Sequence, residues 1–470
     1  MLKLYNTLSR KVEEFKPLKK GSVGFYACGP TVYLDSHIGH MRTYVGGDVI
    51  RRVLEFNNYS VKHVMNVTDV GHLTSDADEG EDKLEKGAKL AGKTVWEVAK
   101  HFEKQFFDST SALNIKKPHV ITHATKYIKE MINLIVSLEK KGYVYETKQG
   151  VYFNIKKFKN YTSLTGQKLE DKKQAVRKDV KTDPDKKHPA DFALWLFTKG
   201  RFKNHSMHWE SPWGEGFPGW HVECSAMSMR HLGETVDIHA GGIDHLTVHH
   251  PNEIAQSEAA TGKQFVKYWV HFDFLKVDGK KMGKSLGNLY TVEDVKSKGI
   301  DPIALRYLYL TAHYRDSLNF TWESLKAAQS AYKKLTSLYI GLSEEMSRNT
   351  LSTEKINKVN TYRDAFLEAV NNDIDMPKAL AVVWGAAKSN IPASDKYDLL
   401  TTFDEVMGLG LGSTKKSKIK VPTEVKKLVD ERESYRKEGN FTKSDHIRSK
   451  ISEKGYLVVD TDKGPLIKKI

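Results

Sequence analysis

A chain of 470 residues is well beyond the size at which one hydrophobic core stops growing, so about two to four domains are expected. Its 74 Lys and Arg against 59 Asp and Glu leave a net charge of +15, which favours a polyanionic partner such as nucleic acid, and two cysteines exclude a disulfide framework. No apolar leader and no run of eighteen apolar residues occurs, so a transmembrane helix is excluded and an unprocessed protein of the reducing cytoplasm is expected, with no membrane partner.

Residues 24–27 form a short apolar run that ends at Cys28, Gly29 and Pro30, and Val49, Ile50, Val53, Leu54 and Phe56 then recur at helical spacing. With the β-branched run 61–67, which ends in Thr68 and Asp69, this predicts a strand, a loop, a helix and a second parallel strand. The loop falls at the carboxyl end of its strand, where open α/β sheets bind ligands. Residues 75–82 read as a loop or helix start, 95–113 and 123–141 as helices, and 144–155 as strand. The Lys-dominated stretch 168–190 offers few apolar anchors and reads as a mobile surface loop.

A motif-dense region follows, so the catalytic sheet is expected to be split: residues 1–114 and 212–273 form it, and 115–211 are inserted. Residues 274–322 carry a lysine-rich loop and 323–409 several amphipathic helices, expected to form a bundle. Residues 410–421 read as a linker. A small basic α+β module is expected over 422–470; from 411 onward there are 16 Lys or Arg against 9 Asp or Glu.

Two clusters suggest phosphate chemistry. His37 and His40 lie where the first loop enters its helix, a place that attracts anions. Lys281 and Lys284 in the KMGKS segment could neutralise charge on a leaving pyrophosphate. Taken singly, either cluster equally suits a solvated surface. Cys28, Cys224, His249 and Glu253 form a donor set of the kind zinc prefers, and His249 and Glu253 are four apart, with Pro251 between them suiting a first helical turn. Either cysteine alone would pass for a buried structural thiol.

The two phosphate-type motifs, in this order and at this distance, resemble those of class I aminoacyl-tRNA synthetases. Residues 26–33 (YACGPTVY), 65–69 (MNVTD), 209–213 (WESPW), 219–227 (GWHVECSAM), 237–244 (DIHAGGID) and 249–258 (HHPNEIAQSE) resemble the cysteinyl enzymes of that class over nearly the whole chain. The resemblance implies a Rossmann-type α/β catalytic domain and a split into amino acid activation with ATP and Mg²⁺ and transfer to tRNA(Cys). It implies that Cys28, Cys224, His249 and Glu253 hold one Zn²⁺ to which the L-cysteine thiol is added, and that Thr68, Trp220 and His239 line the cysteine pocket. Gly29, Gly241, Gly242 and Asp244 would join His37, His40, Lys281 and Lys284 around ATP. Trp220 would serve equally in core packing, and the glycine pair in a simple turn.

The run 432–451 matches the family's anticodon-binding helical hairpin and makes Asp445 a candidate reader of an unstacked base, although a charged helix face would also carry it. Gly283, Pro251 and Ile467 depart from the family pattern, where Ser, Glu and Trp are usual. Two rival readings are a ligase joining cysteine to an amino sugar, which lacks the C-terminal module, and a non-enzymatic tRNA-binding paralogue, which would have lost signature residues. A monomer is expected, since no oligomerisation element is visible.

Overall fold

The computed structural model describes the chain except residues 72, 76–78, 167–182, 284–285, 346–349, 414–421, 462–463 and 470. It divides into two compact units, Met1–Leu411 and Gly412–Ile470.

The first unit opens with a hairpin of β1 (Lys3–Asn6) and β2 (Lys11–Glu14), which the sequence reading does not anticipate. The predicted strand, helix and strand are β3 (Ser22–Ala27), α1 (Ile38–Phe56) and β4 (Ser60–Val67). Short strands β5 (Leu73–Ser75) and β6 (Glu79–Asp82) pair where a loop or helix start is expected. Then come α2 (Lys83–Ala91), α3 (Val95–Ala112), β7 (Val120–His123) and α4 (Ile128–Lys140). A Thr94–Glu97 capping box fixes the start of α3. The helix expected from 123 begins later because His123 still belongs to β7, which pairs with β4.

Strands β8 (Val144–Glu146), β9 (Gly150–Phe153), β10 (Phe192–Phe197) and β11 (Gly216–Pro218) form a separate antiparallel sheet in the order β11-β10-β9-β8. The segment inserted into the parallel sheet therefore begins after β7, not at 115, and its sheet runs to 218. Residues 168–182 of the predicted mobile loop lie outside the described residues. Its far end is anchored: Asp183 and Asp191 are buried and accept hydrogen bonds from the Thr147 and Tyr145 hydroxyls, each at 2.7 Å.

The chain then returns through α5 (Trp220–Leu232), β12 (Val236–Gly242), α6 (His249–Thr261) and β13 (Val266–Phe272) to complete a five-stranded parallel sheet, β13-β12-β3-β4-β7. From β3 the chain adds strands on one side, and β12 and β13 add them on the other. The strand order therefore reverses between β3 and β12, and a ligand crevice is expected at the carboxyl ends of these two strands.

Beyond the sheet lie β14 (Leu275–Val277), β15 (Lys280–Lys281), α7 (Val292–Ser297), α8 (Pro302–Leu310) and β16 (Leu318–Phe320), followed by the helices α9 (Trp322–Glu344), α10 (Thr353–Asn371), α11 (Met376–Lys388) and α12 (Ala393–Met407). Phe25, Ala27 and Met65 on one sheet face share a core with Leu335, Phe366 and Phe403 of the bundle. Arg306, fully buried, ties the elements together. It donates to Asp48 of α1 at 2.6 Å, to the Met407 carbonyl at 2.6 Å and to the Leu113 carbonyl at 3.0 Å.

In the second unit α13 (Thr423–Lys437) and α14 (Phe441–Glu453) form a hairpin that packs with the antiparallel pair β17 (Tyr456–Thr461) and β18 (Gly464–Lys469). Its core is built from Val425, Val429, Ile447, Ile451, Tyr456 and Val458. Arg432, buried within it, holds Asp460 through two hydrogen bonds at 2.9 and 3.0 Å. Of the expected linker, 414–421 lies outside the described residues. Among the described residues no helix is long and apolar enough to cross a membrane.

Candidate active site and metal centre

At the end of β3 the chain turns so tightly that residue 29 must be glycine, since a Cβ there would lie 1.6 Å from the Asn66 carbonyl oxygen. The turn is held by the Gly29 N–H donating to Asn66 Oδ1 at 2.7 Å, and it aims Cys28 into the crevice. Helix α5 supplies Cys224, and the first turns of α6 supply His249 and Glu253, whose Nε2 and Oε1 atoms are 2.9 Å apart. All four side chains are buried, and their donor atoms lie within 4.8 Å of one another. Tetrahedral zinc with bonds of about 2.0–2.3 Å needs donors about 3.3–3.8 Å apart, so the site is completed by drawing in the wider pairs and opening the 2.9 Å His249–Glu253 pair by a few tenths of an ångström. The residues present fit that ion. A second set, Cys28, His239, His250 and Glu253, overlaps the first through Cys28 and Glu253.

The charge pattern suits a cation. A hydrogen bond from Cys28 outweighs burial and brings the Cys224 thiol down to about 6, while burial and the neighbouring Cys224 push Cys28 up. Burial raises the Glu253 carboxyl, but His239 and His249 outweigh it and hold it at about 2. Burial likewise works against His249, which Glu253 and Cys224 nevertheless lift to about 10.

Outer contacts orient the donors. His239 Nε2 lies 2.9 Å from Glu253 Oε2, and His221 Nδ1 lies 2.9 Å from His249 Nδ1. From Cys28 Sγ a chain runs to His250 Nε2 at 3.6 Å, onward to His271 at 2.8 Å and to the Thr7 hydroxyl at 2.8 Å.

A cavity of about 620 Å³ opens from Cys28 and is lined by His37, His40, Trp220, Gly241, Gly242 and Asp244, among others. His37 is the N-cap of α1, its Nδ1 accepting from the His40 N–H at 3.2 Å, and the two rings stack with centroids 3.5 Å apart. Burial and the proximity of His40 lower His37 to about 3, so it enters the cavity as a neutral imidazole. Gly242 allows the turn into Asp244, whose Oδ1 would lie 2.3 Å from a Cβ at position 242. Gly29 also lines the cavity.

The remaining candidates are placed differently. The Trp220 ring lies against His249, centroids 4.4 Å apart, between the metal set and the cavity. Thr68 is buried and donates to Glu223 Oε2 at 2.8 Å, and His239 is fully buried behind the metal set; neither is among the residues lining the cavity. Lys281 is exposed on β15, its Nζ 5.5 Å from the centre of the Phe274 ring, and Lys284 lies outside the described residues. The lysine-rich loop is nonetheless tied to the α1 entrance: the Ile38 N–H donates to the Tyr290 carbonyl at 2.8 Å, and Leu289 and Thr291 line the cavity.

In the second unit Asp445 is exposed on α14, one turn beyond Phe441, which is 62% exposed. Sequence reasoning passed over Phe441, His221, His245, His250 and His271. An aromatic four residues before Asp445 could have marked the first, and the clustering of His245, His249 and His250 the next. His221 and His271 join only through the tertiary fold.

A family model described as "tRNA synthetases class I (C) catalytic domain" matches residues 14–330. Cysteine–tRNA ligase 1 of Burkholderia lata is 45% identical over 98% of this chain and 96% of its own length, and cysteine–tRNA ligase of Treponema denticola is 43% identical over 98% of both. The ligase of Thermus thermophilus is 39% identical over 99% of this chain and 98% of its own length. A methionyl-tRNA synthetase of Mycobacterium tuberculosis in complex with methionyl-adenylate shares the fold, with a TM-score of 0.58 at 14% identity over 83% of this chain and 92% of that one. Matches of this extent, together with the crevice at the strand-order reversal, establish that the chain belongs to the cysteine–tRNA ligase family of class I aminoacyl-tRNA synthetases.

Proposed function

We propose that this ligase selects L-cysteine through one Zn²⁺ held by Cys28, Cys224, His249 and Glu253, activates it with Mg²⁺-ATP and transfers it to tRNA(Cys). The observation that carries this reading is the buried donor set opening into the cavity that also holds His37, His40, Gly241 and Asp244. Zinc, when bound, offers a soft Lewis-acidic position that lowers a thiol's pKa and takes it as thiolate, a match that a serine hydroxyl cannot make. Discrimination built on such a polar match can reach about 10⁴ or more, enough to dispense with an editing domain.

The chain's own residues do the rest. Trp220, beside His249, closes one side of the amino acid's place, while His239 and Thr68 act from behind by fixing Glu253 and Glu223. A cysteine carboxylate oxygen attacks the α-phosphorus of ATP, the bond to the β-phosphate oxygen breaks, and pyrophosphate leaves. His37 and His40 at the α1 N-terminus, with Lys281 and Lys284, stabilise the charge that develops. Gly241 and Gly242 let the adenosine approach the backbone, and Asp244 receives its ribose hydroxyls. The 2′-hydroxyl of the terminal tRNA adenosine then attacks the adenylate's carbonyl carbon, AMP leaves with the former carboxylate oxygen, and the hydroxyl proton passes to solvent. Asp445 reads an anticodon base, with Phe441 as a stacking platform. The protein is a cytoplasmic monomer in this reading.

ATP–pyrophosphate exchange with each of the twenty amino acids, and zinc content measured on the same sample, test it. Exchange with cysteine alone and about one zinc per chain are expected. Exchange with several amino acids, or cysteine-only exchange from zinc-free protein, would overturn the metal-based selection.

A further inference from the structure

A second cavity, of about 790 Å³, lies between the parallel sheet and the helices α1 and α3. Its walls are largely apolar, with Ala27, Met65, Phe106, Phe107, Ile121 and Phe272 among them. Cys28, Thr43 and Tyr44 line both this cavity and the catalytic one, and so divide the two. The charged side chains along it are of both signs and most are paired: Lys104 with Asp108 at 2.6 Å, Lys116 with Glu55 at 2.5 Å and His123 with Glu103 at 2.8 Å.

Two residues in the walls point to an occupant. Gly47 lies in the middle of α1, next to Gly46, where a Cβ would come within 2.3 Å of the Phe272 ring. Nothing comparable requires glycine at 47, since a Cβ there would meet only Phe25, at an ordinary 3.8 Å. Glycine inside a helix costs stability relative to alanine, and here it leaves open the space that the cavity occupies. The second residue is His63 of β4, which lies on the same sheet face as Met65. It lines the cavity, is 5% exposed and stacks on Phe25, and neither of its ring nitrogens has a hydrogen-bond partner among the described residues.

Buried polar groups are rarely left unsatisfied. Burial, reinforced by Arg51, lowers the His63 imidazole to about 3, so it is neutral and offers one N–H and one lone pair. A hydroxyl both donates and accepts, and can therefore meet either nitrogen in either tautomer. A charged ligand would instead lose its hydration among aromatic walls. We propose that this cavity is a second ligand site, for an uncharged hydroxyarene whose rings lie against Gly47, Met65 and Phe106 and whose hydroxyl bonds to His63. A largely apolar space of this volume with one well-placed polar group is what such a small molecule requires.

The probe is 2-naphthol, titrated into the full-length protein by calorimetry at neutral pH. Saturable one-to-one binding is expected, persisting at saturating ATP and cysteine. Naphthalene, which lacks the hydroxyl, should bind the parent about fivefold more weakly, and this ratio should fall to about one in His63→Phe. The anion 2-naphthoate should bind at least about tenfold more weakly than 2-naphthol. Gly47→Leu, which fills the space beside α1, should weaken 2-naphthol at least about tenfold. Both variants should melt at or above the parent temperature, because one removes a mid-helix glycine and the other an unpaired buried imidazole. Absence of saturable binding to the parent, displacement by ATP or cysteine, naphthoate binding as tightly as naphthol, or an unchanged naphthol-to-naphthalene ratio in a folded His63→Phe would each overturn the proposal.

Discussion

Cys224 shows how much one atom can carry. Replacing its sulfur by oxygen in Cys224→Ser changes volume little but removes a soft donor from a buried set. Zinc per chain should fall at least about tenfold and cysteine-dependent exchange at least about a hundredfold, with tRNA affinity retained. Metal analysis and exchange assays check this. Gly29→Ala is a different kind of test, because its Cβ would collide with the Asn66 carbonyl at 1.6 Å and cannot be relieved by a rotamer. A loss of about 3 kcal/mol or more is expected, read as a lowered midpoint in denaturant unfolding. Residues such as Cys28, His37 and Asp244 were legible because each sits in a short motif whose chemistry is local. His221, His250 and His271 were not, since neighbouring strands and helices alone bring them to the metal donors.

At the scale of elements, the strand–loop–helix–strand unit of β3, α1 and β4 was legible because alternation and helical spacing survive in short windows. The boundary of the inserted segment was not, because β7 is only four residues long and declares its sheet solely by pairing with β4. Nor did the sequence announce the clamp that joins α1, α8 and α12. There burial pushes the Asp48 carboxyl up, but Arg306 and Arg52 outweigh it and hold it below the usual carboxylate range. A lowered folded-state pKa stabilises the protein above the unfolded value, near 4, and that contribution is lost as pH falls through the folded value. Asp48→Asn should therefore cost stability at pH 7, by about 3 kcal/mol or more, since it leaves Arg306 buried without its counter-charge. The deficit relative to the parent should shrink as pH drops below about 4. Denaturant unfolding of both proteins across that range measures it.

At the scale of the molecule, a net charge of +15 suits a polyanionic partner, and tRNA affinity should fall steeply with added salt. The proposed reading assigns anticodon recognition to the second unit, residues 412–470. Phe441→Ala with Asp445→Asn should lower kcat/KM for tRNA charging about tenfold or more and leave ATP–pyrophosphate exchange unchanged, because neither side chain belongs to the unit that holds the cavity. An equal fall in both reactions would contradict the assignment. The central claim, that the metal centre itself recognises the substrate's sulfur, is tested most directly by X-ray absorption at the zinc edge. With two cysteine ligands the free enzyme should show two sulfur neighbours, and addition of L-cysteine should raise this to three while L-serine leaves it at two. A sulfur count that does not change with cysteine would contradict the account.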